Sequence, residues 1–150
     1  MIHFCAINEE RFDNIVKMKK SDNDRFVAPN SVSLAQAWLY REDDDVFPFA
    51  ICDDDLVVGF MMLEEDRDEQ KLWLWRIVID QEQEGNGYAT AATKLLIQLA
   101  RESGKYSGLY LDCAVESTIA RHIYDRLGFV STGEINHGDV EMCIHFGQVE

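Results

Sequence analysis

Proline, basic side chains and long apolar runs are all scarce in this chain of 150 residues. With two prolines and no low-complexity stretch, it is predicted to fold without a disordered tail. No apolar run approaches the ~20 residues that a membrane-spanning helix needs. The N-terminal stretch becomes charged at Glu9, too early for a secretory signal. We therefore expect a cytoplasmic protein with no membrane partner.

Cysteine pairs with redox or metal-binding spacing are also missing. The cysteines Cys5, Cys52, Cys113 and Cys143 lie far apart and form no C-x-x-C motif. In a chain without a secretory signal, this spacing indicates reduced core residues. No His, Cys and carboxylate residues lie together at ligand spacing, so no metal is expected.

Basic residues number 14 against 28 acidic ones, which gives a formal net charge of −14. A field of that sign repels nucleic-acid phosphates and attracts cations. We expect no nucleic-acid partner. The simplest interpretation of the excess negative charge is solubility. The alternative interpretation is that it attracts a cationic substrate.

The length predicts one domain over residues 1–150. Hydrophobic periodicity predicts the order β-α-α-β-β-β-α-β-α-β-β and a mixed α/β sheet, with a parallel crossover over 72–114. Segment 71–80 is predicted as a central strand buried on both faces, with Trp73 and Trp75 in the core. The second helix, from Ser31 or Ser33, is predicted to turn Trp38 and Leu39 to its apolar side. The predicted strands are 2–7, 47–52, 56–64, 71–80, 108–115, 129–132 and 140–146, and the predicted helices are 9–19, 31–40, 88–104 and 117–127.

A glycine loop, Gly85-Asn86-Gly87, separates the central strand from the third helix. Helix N-termini carry unpaired N–H groups and a partial positive charge of ~0.5, which suits a diphosphate. A glycine pair before a helix is, however, about as often a plain turn as a phosphate-binding loop. The Gly-Lys-Ser/Thr of a Walker loop is absent. A Rossmann motif stays an alternative, in which Thr90 takes the place of the third small residue and Asp112 binds the ribose of a dinucleotide.

The loop EGNGYA, residues 84–89, resembles the acetyl-CoA loop Q/R-x-x-G-x-G/A of the GNAT superfamily. Gly87 and Ala89 match its fourth and sixth positions. Glu84 replaces the usual Gln or Arg, so its carboxylate has to point away from the diphosphate.

Residues 117–129 resemble a second GNAT motif, the helix N-x-x-A-x-x-L-Y-x-x-x-G-F. Ala120, Tyr124, Gly128 and Phe129 match, and Ser117 stands for the usual Asn and is predicted to cap the helix. Both motifs occur in the family's order, and the resemblance covers roughly 46–146. Within the superfamily, the chain looks most like the small bacterial spermine/spermidine acetyltransferases.

The resemblance implies a GNAT fold, with six to seven strands and about four helices, splayed at a central parallel pair. It implies acetyl-CoA as co-substrate and direct acetyl transfer, in a ternary complex, to a primary amine of a small cationic acceptor such as a polyamine or diamine. A protein or peptide amine, an aminoglycoside, a non-catalytic CoA-binding module and a Rossmann-type oxidoreductase stay open. Homodimers are common in the family.

The resemblance also assigns site residues. Tyr124 is the expected general acid for the CoA thiolate, and Ser117 is expected to offer its hydroxyl to the cofactor. Glu42, Asp43 and Glu64 are expected at the acceptor site. No general base stands out among Glu42, Glu64, Glu65 and the histidines 3, 122, 137 and 145. The expected cofactor-binding residues are Ile77, Val78, Ile79, Glu84, Gly85, Asn86, Gly87, Tyr88, Ala89, Thr90 and Ser117.

Overall fold

The protein's structure, a computed structural model, describes residues 1–147, apart from the side chain of Asn23. The order of its elements is the predicted one, so the α/β class is confirmed. Two short 3₁₀ turns, Asp22–Asp24 and Gln81–Gln83, lie in loops. The strands are β1 (Ile2–Cys5), β2 (Val46–Asp53), β3 (Leu56–Asp66), β4 (Lys71–Ile79), β5 (Gly108–Cys113), β6 (Val130–Asn136) and β7 (Asp139–His145), and the helices are α1 (Glu9–Lys17), α2 (Asn30–Leu39), α3 (Tyr88–Ser103) and α4 (Thr118–Leu127).

The strands of the described residues form one sheet in the order β1-β2-β3-β4-β5-β7-β6. Neighbours are antiparallel except β4 and β5, whose parallel pairing confirms the predicted crossover. A doubly wound dinucleotide-binding sheet is built from a run of parallel strands. One parallel pair therefore argues against the Rossmann alternative.

The parallel pair is short, because β4 and β5 share three register positions that end at Trp73 opposite Tyr110. Beyond that point the strands part, which confirms the predicted splay. A β-bulge lies just there: Leu74 and Arg76 of β4 face successive residues of β3, and Trp75 has no counterpart. Since a bulge bends its strand, β4 turns away from β5 at this position.

Local sequence signals set most helix ends. Asn8 caps α1, since its side chain accepts a hydrogen bond from the Arg11 amide at 2.9 Å. Gly104 and Gly128 end α3 and α4 in the left-handed conformation, which glycine adopts without steric cost. Ser117 occupies the N-cap position of α4, as predicted, but its side chain makes no capping hydrogen bond.

α2 begins one residue before its earliest predicted start, at Asn30. The buried Asn30 side chain donates a hydrogen bond to the Ile15 carbonyl at 2.9 Å, which ties α2 to α1. The prediction that Trp38 and Leu39 face the core is wrong, since they are 67% and 65% exposed. The Arg41 guanidinium lies over the Trp38 ring instead, 3.6 Å from its centroid.

The apolar core forms two layers, one on each face of the sheet. α3 and α4 pack on one face, and α1 and α2 pack on the other. Leu99 is 47% exposed, because α3 is turned so that Ala92, Leu96 and Ala100 lie inward. The four cysteines are free, and three of them are buried.

The prediction that β4 is buried on both faces is wrong. Trp73, Trp75 and Ile77 are half-buried rather than part of a closed core. The reason is the departure of β5, which leaves one edge of β4 beside an opening instead of a neighbouring strand.

Replacing Gly59 with alanine should destabilise the protein by about 1–3 kcal/mol, the usual cost of overpacking. A β-carbon there would lie 2.6 Å from the Val78 carbonyl oxygen and 2.8 Å from the Ile79 side chain. Circular dichroism on heating should show a lower Tm for Gly59→Ala. Leu56→Ala, at a half-exposed position of the same strand, is the control and should lose less. An unchanged Tm for Gly59→Ala would contradict this account.

Candidate active site

A cavity of about 1270 Å³ opens where β4 and β5 part. Its walls come from the two strands, the loop after α1, the start of α3, α4 and the turn between β6 and β7. Small-molecule sites commonly measure about 300–1,000 Å³. This cavity therefore has room for a long ligand together with a second, smaller one.

The cavity follows β4 from Trp73 to Ile79, and both residues line it. At about 3.3 Å per residue, these six steps span about 20 Å. The glycine loop follows Ile79 at one end, and Glu64 lies opposite Trp73 in the β3–β4 register at the other. Backbone amides thus mark one end of the cavity, and a carboxylate marks the other.

Hydrogen bonds made by local side chains stabilise the glycine loop and the turn before it. Asp80 accepts a hydrogen bond from the Glu82 amide at 3.1 Å, and the Asn86 side chain donates one to the Gln83 carbonyl at 2.9 Å. Asn86 therefore serves the loop and does not line the cavity. The loop's two glycines have φ of 83° and 74°, values that residues with a β-carbon rarely adopt.

The first turn of α3 presents backbone amides to the cavity. The Ala91 amide donates to the Gly87 carbonyl at 3.0 Å and is the first to do so within the helix. The N–H groups of Tyr88, Ala89 and Thr90 precede it and have no intrahelical acceptor. All three residues line the cavity, so their amides and the helix dipole can bind an anion such as a diphosphate.

Glu84 lies in the same loop with an exposed side chain that borders the cavity. Its amide donates to the Gln81 carbonyl at 3.3 Å, which fixes the backbone. The Glu84 side chain is exposed to water, and its charge opposes an anionic ligand at the α3 N-terminus.

Tyr124 of α4 lines the cavity. Its ring packs edge to face against Phe129, with 5.5 Å between the ring centroids. Burial raises the pKa of the Tyr124 phenol, and the neighbouring Cys113 and Asp24 add to the shift. Burial also raises the pKa of the Cys113 thiol beside it. A ligand's thiolate in these surroundings would be more basic than in water. The protonated Tyr124 phenol could then supply a proton to it.

The other expected cofactor residues fall into two groups. Ile77, Ile79 and Ser117 line the cavity. Val78 is 1% exposed and does not line it, because alternate residues of a strand point to opposite faces. The Ser117 hydroxyl is not engaged in capping α4 and so stays available to a ligand.

Carboxylates on three strands line the cavity, Glu64 at the Trp73 end and Asp112 and Glu141 on β5 and β7. Burial, followed by the nearby Asp45 and Asp66, raises the pKa of the half-buried Glu64. On β5 and β7, Asp112 lies opposite Glu141 in register, and both line the cavity.

A network of hydrogen bonds fixes the second of these carboxylate groups. Glu141 is 8% exposed and accepts hydrogen bonds from Thr132 at 2.6 Å and from the Asn136 side chain at 3.1 Å. The same Asn136 amide donates to Asp112 at 2.9 Å. The two carboxylates are therefore held in place beside one another.

Two of the expected acceptor residues lie elsewhere. Glu42 and Asp43 are exposed in the connection between α2 and β2 and do not line the cavity. Of the residues considered as general base, Glu64 and His137 line it, whereas Glu65 and the other three histidines do not.

Glu141 and Asp24 were not selected from the sequence, and Asp112 was considered only as a ribose partner. The signal for Glu141 is a charged residue inside the apolar strand VEMCI, which is unusual unless the charge has a task. Asp24 gave no such signal, since an aspartate in a polar loop is ordinary.

Among residues 1–147, no three His, Cys, Asp or Glu side chains gather in a way that could hold a metal ion. The helices in the same part of the chain are too short or too polar to cross a membrane.

Comparison with known proteins places the chain among the acetyltransferases. The profile described as the Acetyltransferase (GNAT) family matches residues 14–129. The chain is 27% identical to the spermine/spermidine N(1)-acetyltransferase of Bacillus subtilis (strain 168), over 95% of this chain and 97% of that protein. It is 36% identical to human N-acetyltransferase 8B over 66 residues, which are 44% of this chain and 29% of that protein.

Solved structures share the fold at low identity. The spermidine N-acetyltransferase of Vibrio cholerae, in complex with CoA and spermine, superposes with a TM-score of 0.71 at 20% identity, covering 96% of this chain and 95% of that one. The PaiA N-acetyltransferase of Thermoplasma acidophilum, in complex with coenzyme A, gives 0.71 at 11% identity, covering 97% and 99%. With the profile spanning most of its length, the chain belongs to the acetyltransferase (GNAT) family, and it is an N-acetyltransferase that uses acetyl-CoA.

Proposed function

We propose that this enzyme transfers the acetyl group of acetyl-CoA to a primary amine of a small polycation, such as a polyamine or diamine, while both substrates are bound. The observation that carries the proposal is one cavity that joins the free amides at the α3 N-terminus to the Glu64 carboxylate, about 20 Å away along β4, and that is also lined by Tyr124. Its two ends suit a negative and a positive ligand respectively.

The amide end fits the diphosphate of the cofactor. The N–H groups of Tyr88, Ala89 and Thr90 would hold it, and Gly85 and Gly87 let the backbone approach, since no atom lies within 4 Å of where their β-carbons would be. The edge of β4 at Ile77–Ile79, left without β5, would lie along the rest of the cofactor. Bound acetyl-CoA supplies the acetyl thioester.

The role of Tyr124 follows from its environment. Since a phenol with a pKa at or above its ordinary value of about 10 is protonated at neutral pH, Tyr124 can give a proton to a departing thiolate beside it in the cavity. Desolvation raises the pKa of the phenol and strengthens the thiolate as a base as well, so the two groups stay better matched than a buried phenol and a solvated thiolate would be.

The carboxylate end fits a cationic acceptor. Glu64, Asp112 and Glu141 supply negative charge, and the half-buried rings of Trp73 and Trp75 offer faces for ammonium groups. A chain with several ammonium groups could extend along the cavity and meet more than one carboxylate. The whole-protein charge of −14 would raise the local concentration of such a substrate.

Arg76 also lines the cavity, and its charge is engaged on the α2 side. Its guanidinium donates hydrogen bonds to Ser33 at 2.9 Å and to Gln36, and it lies 4.5 Å from the centroid of the Trp75 ring. Burial lowers the pKa of Arg76. These contacts hold the guanidinium on the α2 side of β4.

Several relatives that match over nearly the whole chain are named for spermine or spermidine, which supports the same substrate class. A panel assay of released CoA thiol tests the choice, with spermidine, spermine, simple diamines, an aminoglycoside and a short peptide as acceptors. We expect the highest kcat/KM with a polyamine or diamine. A preference for the aminoglycoside or peptide would overturn the proposed substrate and keep the acetyltransferase.

We also propose that residues 1–150 act as one domain and that the protein forms a homodimer in the cytoplasm. The single sheet supports the first point. Val130 and Ile135 support self-association, because these apolar side chains of the edge strand β6 are 59% and 61% exposed.

Replacing Glu84 with glutamine should tighten CoA binding about two- to fivefold, because it removes a like charge beside the diphosphate. Titration calorimetry at low salt measures the Kd, and the difference from wild type should shrink at high salt. Glu82→Gln removes the same charge from an exposed position of this loop that does not line the cavity, and should leave the Kd unchanged. Equal effects of both variants would indicate net charge rather than a local contact.

Replacing Tyr124 with phenylalanine should lower kcat about 100-fold, the usual contribution of a general acid, and leave the Kd for CoA within twofold. Steady-state thiol release and calorimetry measure the two quantities. Tyr40→Phe removes a hydroxyl that lies outside the cavity and should leave both unchanged. A kcat within threefold of wild type in Tyr124→Phe would exclude the phenol as the acid.

Replacing Glu64 with glutamine should raise the KM for a polyamine about three- to fivefold, as expected for one partly screened ion pair. The matched variant Glu42→Gln/Asp43→Asn removes two charges outside the cavity, and we expect a smaller rise in KM from it. If that double variant raised the KM and Glu64→Gln did not, the acceptor would bind near the connection between α2 and β2 instead.

A further inference from the structure

The loop between α1 and α2 brings one acidic side chain, Asp24, into the cavity. The Asp24 amide donates to the Ser21 carbonyl at 3.0 Å, and its own carbonyl accepts from the Val27 amide at 3.0 Å. The Lys20 side chain donates to the Val27 carbonyl, and the Gln81 amide donates to the Lys19 carbonyl at 2.9 Å. The loop is therefore fastened both to itself and to the segment before the glycine loop.

Asp24 lines the cavity together with Tyr124. The two side chains are near enough for the charge of Asp24 to raise the pKa of the phenol, after burial and Cys113. Among the described side chains, none forms a hydrogen bond or ion pair with the Asp24 carboxylate. The carboxylate is thus half-buried, close to the proposed acid and open to a ligand.

The surroundings also make Asp24 a stronger base than an ordinary aspartate. Burial raises the pKa of its carboxyl from 3.8 to about 6, the like charge of Glu84 adds to the rise, and Lys20 opposes it. The titratable groups that face Asp24 are Glu84 in the glycine loop, Lys20 in its own loop and Tyr124 on α4. At pH 7 most of the carboxyl is ionised and can accept a proton.

The carboxylates of Glu64, Glu141 and Asp112 are placed less well for this task. Tyr124 is beside Cys113, three residues beyond Tyr110, whereas Glu64 is level with Trp73 opposite Tyr110, about 10 Å further along the strands. The oxygens of Glu141 already accept hydrogen bonds from Thr132 and Asn136, and Asp112 also binds Asn136.

We propose that Asp24 is the catalytic base, which takes the proton from the acceptor's ammonium group beside Tyr124. The inference rests on the proposed function, because it presumes that the acceptor is an amine protonated at neutral pH, with a pKa near 10.

The proton balance closes with two residues. Asp24 removes one proton from R–NH₃⁺, and the freed nitrogen lone pair forms the bond to the acetyl carbon. The carbon–sulfur bond breaks with its electron pair on sulfur, which takes the proton of the Tyr124 hydroxyl. A second proton from the nitrogen restores Tyr124, and Asp24 gives its proton to water. The products are the N-acetylated amine, the CoA thiol and one released proton.

The test compares Asp24→Asn with Asp22→Asn, which removes the same charge two residues away at an exposed position outside the cavity. The acceptor is the best amine of the panel, whatever its class. In Asp24→Asn, kcat/KM should fall about 100-fold or more, mainly through kcat, with the Kd for CoA within threefold of wild type. Asp22→Asn should stay within twofold of wild type in both quantities.

A pH profile gives an independent measurement on the wild-type enzyme. Because the base acts when ionised, kcat/KM should rise with pH through an apparent pKa of about 6, and this limb should be missing in Asp24→Asn. A wild-type profile without that limb, or a variant that keeps it, overturns the assignment even if the variant folds poorly.

The remaining outcomes separate the two proposals. A rise in KM with unchanged kcat in Asp24→Asn would make Asp24 a binding group for the ammonium and overturn its role as the base. Wild-type turnover with an aminoglycoside or peptide amine alone would overturn the polyamine proposal, and the Asp24 comparison would then be made on that amine. If the wild-type enzyme acetylates no amine of the panel, both proposals fall.

Discussion

The parting of β4 and β5 after three paired residues is the constraint on which the rest of the structure depends. Parallel strands normally stay paired, since each unpaired amide or carbonyl is costly unless something else satisfies it. Here the bulge at Trp75 bends β4 away, and the edge beyond Trp73 faces a cavity. Both substrates are proposed to bind where the sheet is left incomplete, so the scaffold's main irregularity is also its working part.

An acidic protein that uses an anionic cofactor needs a local source of positive potential. Basic side chains do not supply it at the glycine loop, where Glu84 carries the opposite sign. The amides of the first α3 turn supply it instead, and they act over a short range. The negative charge that would weaken cofactor binding over longer distances is the same charge that attracts a cationic acceptor, and the 20 Å between the two ends lets both operate.

Much of this arrangement could be predicted from the sequence, because it rests on local patterns. The change from strand to helical periodicity around Gly87 gave the glycine loop, and Gly128 gave the end of α4. What could not be predicted depends on tertiary placement. From the sequence, Trp73 and Trp75 look like core residues, because only the tertiary structure shows that β4 and β5 part and leave both side chains half-buried beside the cavity. Asp24 looks like any other loop aspartate, because only the tertiary structure shows that the loop between α1 and α2 lies against the cavity.

The three tryptophans give the protein a natural optical reporter. Trp73 and Trp75 line the proposed acceptor end of the cavity, whereas Trp38 is exposed to solvent and packs under the Arg41 guanidinium. A ligand that displaces water from the two strand indoles changes their emission, while the surface indole contributes a constant background. Substrate entry can therefore be followed on the unlabelled enzyme by its own fluorescence, without a chromophore on the amine.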